Sequence, residues 1–250
     1  MHNREREQEI LNILKDKNGF VSAKELCDIL FASESSIRRD LRRLEQNGLV
    51  RRSYGGVSPV IHTANIVEFH SRTRQNIAAK KEIAKKAKTL IQDGQIVFLD
   101  QSSTAFYLAG ELVGRNGITV VTNNIEIMML LSHSDIKLIA SGGWLSYENR
   151  NCLVGGDAQK TFENIFADIA FFSVKGLGED GAVTDCSREE ILVRNAILKN
   201  ARTKVLLCDS AKFGVRAPFL QCRLEDVDYL VSEEDRAQAF SGLGIKTDFI

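Results

Sequence analysis

Arg38, Arg39, Arg42 and Arg43 recur at helical spacing in the stretch SSIRRDLRRLEQNGLVRRSYGG, and Arg51 and Arg52 follow shortly after. A guanidinium is a planar, always charged fork of N–H donors that matches both phosphate oxygens and the O6/N7 edge of guanine. Six of them lie within residues 35–56, in a chain whose 33 basic and 33 acidic residues cancel overall. A balanced total does not argue against a strong local field, and recognition of nucleic acid is the chemistry this segment suits. The blander alternative is a solvated helix face whose arginines pair with Asp40 and Glu45.

A second constellation is spread over the rest of the chain, at the ends of short apolar runs. It comprises Asp100, Gln101, Ser102, Ser103 and Thr104; Thr122, Asn123 and Asn124; Gly142 and Gly143; Lys175 and Gly176; and Lys212. Hydroxyls and free backbone N–H groups at a helix N-terminus favour an anion, and lysines add mobile positive charge. Together these groups suit a small phosphorylated, polyhydroxylated ligand. Each also has a duller use as a cap or turn, and their convergence on one rim is what suggests a site. Asp100, Glu179, Asp180 and Asp185 keep open a different class of function, a sugar-phosphate isomerase that needs a base beside a carbonyl.

The elements that must position the arginines are legible locally. Ile10, Leu11, Ile13 and Leu14 mark a first short amphipathic helix, and Ser22-Ala23-Lys24-Glu25 is a capping-box sequence opening a second. Phe31-Ala32 reads as the turn and Ser33 as the N-cap of a third helix ending near Asn47-Gly48. At ~100° per residue Ile37, Leu41 and Leu44 share one side of that helix and the four arginines the other. The runs on either side of Ser53-Tyr54-Gly55-Gly56 predict a β-hairpin. A helix-turn-helix with such a hairpin is a winged helix. Ser35, Ser36, Arg38 and Arg39 would meet base edges, while Arg42, Arg43, Arg51 and Arg52 would hold the backbone; Ser33 and Tyr54 are further DNA-binding candidates.

Residues 59–76 show no clear periodicity and read as a linker. A helix is expected from about Gln75 to Ile91, with Lys80, Lys81, Lys85, Lys86 and Lys88 on its solvent side. Beyond it QIVFLD, ITVVT, IKLIAS, IAFFSV, KVLLCD and VDYLVS alternate with helical patterns, as in a mostly parallel sheet covered on both faces. The expected architecture is therefore α/β overall: a winged helix-turn-helix domain at 1–58, the linker, and a larger Rossmann-like α/β domain at 77–250.

Composition bounds the rest. With 44% hydrophobic and 26% charged residues, the chain is of ordinary globular type. Its apolar runs fall short of the ~20 residues needed to span a bilayer, and its polar start lacks a signal-like core, so no membrane partner is expected and the cytoplasm is the default. Cys27, Cys152, Cys186, Cys208 and Cys222 include no C-x-x-C pair, so no disulfide framework, metal site or cofactor is expected.

The motifs also resemble a known family. S-x-x-S-I-R-R-D-L-R-x-L-E-x-x-G-L-V-x-R and Y-G-G-V in the first sixty residues resemble the DeoR family of bacterial transcription regulators. Phe69 with Arg72 and Asn76, K-x-x-I-A from Lys80, T-V-V-T-N, D-G-A-V-T and L-L-x-D-S-x-K-F-G are similar to its C-terminal sensor domain, which is akin in fold to ribose-5-phosphate isomerase. The sequence departs at Ser102, where many members carry glycine. The resemblance implies a repressor, not an enzyme, that binds a double-stranded DNA operator as a homo-oligomer, dimer or tetramer, and is released by a phosphorylated sugar intermediate.

Overall fold

A computed structural model describes residues 3–16, 20–46, 50–53, 55–59, 69–235, 240 and 248–250. The chain divides into two compact units, 1–64 and 65–250.

In the first unit α1 (Asn3–Asp16) is followed by β1 (Val21–Ser22), α2 (Ala23–Leu30), α3 (Glu34–Gln46), β2 (Val50–Ser53) and β3 (Gly56–Pro59). The Ser22 hydroxyl accepts the Glu25 amide at 3.1 Å and starts α2. Phe31, at φ 48° and ψ 42°, ends that helix in the left-handed region, and its cap N–H reaches the Cys27 carbonyl. Ser33 accepts from the Ser36 amide and so caps α3. Strands β2 and β3 pair antiparallel with Arg52 opposite Val57, and β1 adds to the far edge of β3. Ile10, Leu14, Leu26, Ile37, Leu41, Leu44, Val50 and Val57 close one core, which holds the three helices and the wing together.

The second unit begins with α4 (Phe69–Arg74) and α5 (Ile77–Lys88). Part of the segment expected as linker is thus helical. Its anchor is Phe69, 2% exposed and edge-on to Phe106 at 5.9 Å; burying such a ring contributes roughly 1.5–3 kcal/mol. There follow β4 (Ile96–Leu99), α6 (Ser103–Leu112), β5 (Thr119–Thr122), α7 (Ile125–Leu131), β6 (Lys137–Ala140), the hairpin strands β7 (Trp144–Leu145) and β8 (Leu153–Val154), and α8 (Gly156–Glu163). Then come β9 (Ala167–Phe172), β10 (Gly176–Leu177), β11 (Ala182–Asp185), α9 (Arg188–Lys199), β12 (Ala201–Leu207), β13 (Phe219–Arg223), β14 (Tyr229–Val231) and β15 (Asp248–Phe249).

Seven strands form one sheet in the order β15-β14-β12-β9-β4-β5-β6. Every neighbouring pair is parallel. Period-two alternation sends Val97 and Leu99 into a core with α5, α6 and α7, and Phe98 into the opposite core with α8 and α9. The central strands β4, β5 and β9 are therefore buried on both faces, which is why they read as apolar runs. A small antiparallel sheet, β10-β11-β13, is appended. The chain order of the large sheet reverses between β4 and β9, and at such a switch point the loops diverge and leave a crevice at the carboxyl ends of the strands. Among the described residues no helix is long and apolar enough to cross a membrane.

Candidate functional site

In the first unit α3 presents two kinds of arginine. Arg39 and Arg42 are exposed and, among the described residues, make no ion pair, while Arg38 pairs with Glu34 at 2.5 Å on the open surface. Arg43 differs: it binds Asp40 at 2.5 Å and Glu7 at 3.0 Å. Asp40 is fully buried and also takes Arg6 of α1 at 2.5 Å. Arg43 thus turns back toward α1 instead of pointing outward with its neighbours, because it flanks Asp40 on the wheel and Asp40 flanks the apolar stripe. Ser33, Ser35 and Ser36 bond to one another through their hydroxyls at the start of α3. On the wing Arg52 is held by Glu45, whose carboxylate accepts its amide at 3.1 Å. Tyr54 and the side chain of Arg51 lie outside the described residues.

In the second unit a cavity of about 180 Å³ opens at the switch point, between the loops that leave β4 and β9. Ser102, Ser103, Lys175 and Lys212 line it, as do Arg72, Asn76, Lys80, Asp185, Glu190 and Asp209. Ser102 precedes α6 with φ −75° and ψ 153°, and its hydroxyl accepts the Ala105 amide at 3.1 Å. This backbone needs no glycine, and the hydroxyl that replaces the family's usual residue caps the helix. Ser102→Ala should lower stability by about 1 kcal/mol, the usual cost of losing such a cap, read from denaturant unfolding; an unchanged midpoint would mean the cap contributes nothing.

Lys80, Lys175 and Lys212 make part of the lining cationic. Lys212 donates to Ser173 Oγ at 2.7 Å and pairs with Asp209 at 3.3 Å. Asp209 accepts from the Asn76 amide at 2.8 Å. Burial alone would raise Asp209, but Lys212, Asn76 and Lys80 hold it below the ordinary carboxylate range. Lys80 is buried and donates to the backbone carbonyls of Arg72 and Gln75. Burial, assisted by the charge on Lys212, pulls its ammonium down to about 8. The expectation that Lys80 faces solvent is therefore corrected. It stands on the same stripe as Ile83, Ala84 and Ala87, at i+3, i+4 and i+7, and that spacing was the available signal.

Glu190 and Asp185 of the lining belong to a buried network around two residues of α9. Arg194, 1% exposed, donates to Asp100 at 3.0 Å, Asp185 at 2.9 Å and Gln221 at 2.9 Å. Burial disfavours its charge, yet Asp185, Asp100 and Glu190 raise the guanidinium above its usual value. Glu190 accepts from Gln101 at 3.0 Å and Asn149 at 2.9 Å. Burial pushes its carboxyl up, against the pull of Arg72 and Arg194.

Several candidates named from sequence stand behind the wall. Asp100 is fully buried and accepts the Ser102 and Ser173 amides, which leaves it a clamp between β4 and β9. Gln101 and Thr104 are also fully buried. Thr122 takes the Asn124 amide at 3.1 Å, Asn123 donates to the Leu153 carbonyl at 3.0 Å, and Asn124 caps α7. Gly142 and Gly143 sit beneath the β7–β8 hairpin. Gly143 has φ +107°, and a Cβ there would meet the Val154 carbonyl at 2.4 Å. Gly176 lets β10 approach the backbone of Val215, which a Cβ would meet at 2.2 Å. None of these nine residues lines the cavity. Arg72 and Glu190 line it without having been named as site residues, and only their three-dimensional meeting reveals them; Asp209 lines it too, and its place at a strand end was the available signal.

Burial raises the thiols of Cys208 and Cys222 to about 12, so they stay protonated and unreactive. All five cysteines are free, and no cluster of metal-ligating side chains occurs among the described residues.

A winged helix-turn-helix unit joined to a parallel α/β unit with a polar cavity at its switch point defines a transcription regulator with a sensor domain. The profile of the DeoR-like helix-turn-helix domain matches residues 6–62, and that of the DeoR C terminal sensor domain matches residues 75–234. YgbI, an HTH-type transcriptional regulator of Escherichia coli (strain K12), is 34% identical over 98% of this chain and 95% of its own. GolR, an HTH-type transcriptional regulator of Listeria innocua, is 34% identical over 92% of this chain and 90% of its own. The glycerol-3-phosphate regulon repressor of E. coli (strain K12) is 29% identical over 87% of this chain and 85% of its own. Among solved structures, ribose 5-phosphate isomerase A from Methanocaldococcus jannaschii overlaps 54% of this chain and 53% of its own, with a TM-score of 0.41 at 21% identity. The chain belongs to the DeoR family, whose members are transcription regulators and not enzymes.

Proposed function

We propose that this regulator is a repressor of a sugar-metabolism operon, and that a phosphorylated sugar intermediate bound in the cavity controls its grip on the operator. The observation that carries the reading is that Lys80 and Lys212 line the same cavity as Ser102 and Ser103 at the α6 N-terminus. Helix-terminal N–H groups, hydroxyls and two ammonium groups are what a phosphate monoester requires. The naming of one relative for a glycerol-3-phosphate regulon points the same way. In this reading Arg38 and Arg39 contact bases, Arg42 and Arg52 hold phosphates, and a homo-oligomer spans repeated half-sites. An isomerase base gains no support from Asp100, whose carboxylate is already bonded to Arg194 and two backbone amides.

The test is fluorescence anisotropy of the full chain on DNA from upstream of its own gene, with a panel of phosphorylated sugars. One phosphorylated compound should change the binding while its unphosphorylated form does not; an absence of specific DNA binding in every condition would sink the reading.

Lys80 adds a pH signature. Its proton is held weakly in the free protein and tightly beside a phosphate, so the affinity for the effector should fall about tenfold between pH 7 and pH 9. Without ligand the sign reverses. The unfolded chain binds more protons than the folded one between about pH 8 and the ordinary lysine value, so Lys80's contribution to stability improves as pH rises through that window. A binding constant that stays flat across pH 7–9 would remove Lys80 from the phosphate contact.

A further inference from the structure

Phosphate binding leaves part of the lining unexplained. Arg72, within electrostatic reach of both Lys80 and Glu190, lines the cavity with its Nε and Nη2 groups buried and without a hydrogen-bond partner. Its guanidinium lies against the Phe69 ring, 5.7 Å from the centroid, which fixes its plane and leaves those two donors unanswered. Buried guanidinium N–H groups are costly to leave unpaired. Arg72 and Glu190 interact electrostatically, yet no ion pair joins them among the described residues. Glu190 accepts from Gln101 and Asn149, and its only other polar contacts among the described residues are long ones, the Cys152 thiol and Arg194 Nη2 each at 3.9 Å; a carboxylate has about four acceptor sites, so capacity for a short hydrogen bond remains on a residue that also lines the cavity.

The site thus holds unused donors on Arg72 and spare acceptor capacity on Glu190. Only a group that accepts and donates at once satisfies both, and among the groups of a sugar phosphate that is a hydroxyl; an ether, a carbonyl or a second phosphate only accepts. Charge argues the same way. The lining carries Arg72, Lys80, Lys175 and Lys212 against Asp185, Glu190 and Asp209, and the pair Arg194 and Asp100 behind them cancels. The small positive surplus is consumed by one phosphate, which bears roughly −1.5 to −2 at pH 7.

We propose that Arg72 and Glu190 form a second recognition point that reads one hydroxyl of the effector, accepting from Arg72 and donating to Glu190, and so sets which phosphorylated polyol is bound. This rests on the phosphate reading above and deepens it. A site built to bond a hydroxyl rejects the analogue that lacks it, because both protein groups are then stranded.

The experiment is calorimetric titration of the full chain with inorganic phosphate, glycerol 3-phosphate, ribose 5-phosphate and glucose 6-phosphate. The tightest organic binder is then compared with each of its monodeoxy analogues. One analogue should bind roughly ten- to hundredfold more weakly than its parent. Arg72→Met and Glu190→Gln should each weaken the parent compound by a similar factor and abolish its advantage over that analogue, while the affinity for inorganic phosphate changes less than about twofold. The deoxy series on the unaltered protein keeps the test sound even if a variant folds poorly. Equal binding of every monodeoxy analogue overturns the proposal, as does an Arg72→Met variant that loses inorganic phosphate and sugar phosphate by the same factor. Inorganic phosphate binding that no organic chain improves overturns it too, but leaves the phosphate site standing; loss of phosphate binding altogether removes the underlying reading and this proposal with it.

Discussion

Arg194→Met should cost the larger unit about 3–5 kcal/mol, because it strands buried acids and not because it removes a contact. The guanidinium is the shared partner of Asp100, Asp185 and Gln221, and Glu190 lies 3.9 Å from its Nη2. Methionine fills much of the volume but offers no donor. For a unit of this size such a loss lowers the melting temperature by roughly 10 °C. The same change at Arg216, whose pair with Asp180 is solvent-exposed, should leave the melting temperature nearly unchanged. Thermal unfolding followed by circular dichroism distinguishes the two. If Arg194→Met melts within a degree or two of the parent, the network around Asp100 does not clamp β4 to β9 and α9. A selective loss of stability would show that the cavity floor is braced by one residue.

The second large effect concerns DNA. Arg39→Ala should weaken operator binding about 5- to 150-fold, the span of 1–3 kcal/mol for a fork on a guanine edge, and should weaken random DNA far less. Arg38→Ala should act in the same direction by a smaller factor, because Arg38 must first leave Glu34. Arg42→Ala should lower operator and random DNA alike and reduce the salt slope by about 1. Arg43→Ala should instead lower the stability of the first unit, since Asp40 is buried beneath it. Anisotropy across a salt series separates these outcomes. Equal binding of both DNAs by Arg38→Ala, Arg39→Ala and the parent would show that α3 does not read sequence.

The two predictions draw on different levels of information. The third helix is specified locally: Ile37, Leu41 and Leu44 recur at its period, Ser33 caps it, and the residues proposed to read DNA are those that period leaves outside. The parallel sheet is equally local, since strands buried on both faces must be apolar throughout. Chain order and strand ends then already named Ser102, Ser103, Lys175 and Lys212 as rim residues, and these four do line the cavity.

The sequence by itself therefore determined the two kinds of domain, the face of α3 and the family, because each rests on neighbours within one or two turns or one strand. The direction of Arg43 and the burial of Lys80 were partly present in the helical period, but whether a charge at the border of an apolar stripe turns inward depends on what covers that border. Only the tertiary structure decided that Asp100, Thr122, Asn123 and Asn124 brace the walls while Arg72, Glu190 and Asp209 face the cavity. Arg72 comes from a helix before the sheet and Glu190 from one after its fourth strand, and no periodicity joins them. Their meeting is a product of packing, and so is the choice of which polar groups find partners inside the protein and which are left for a ligand.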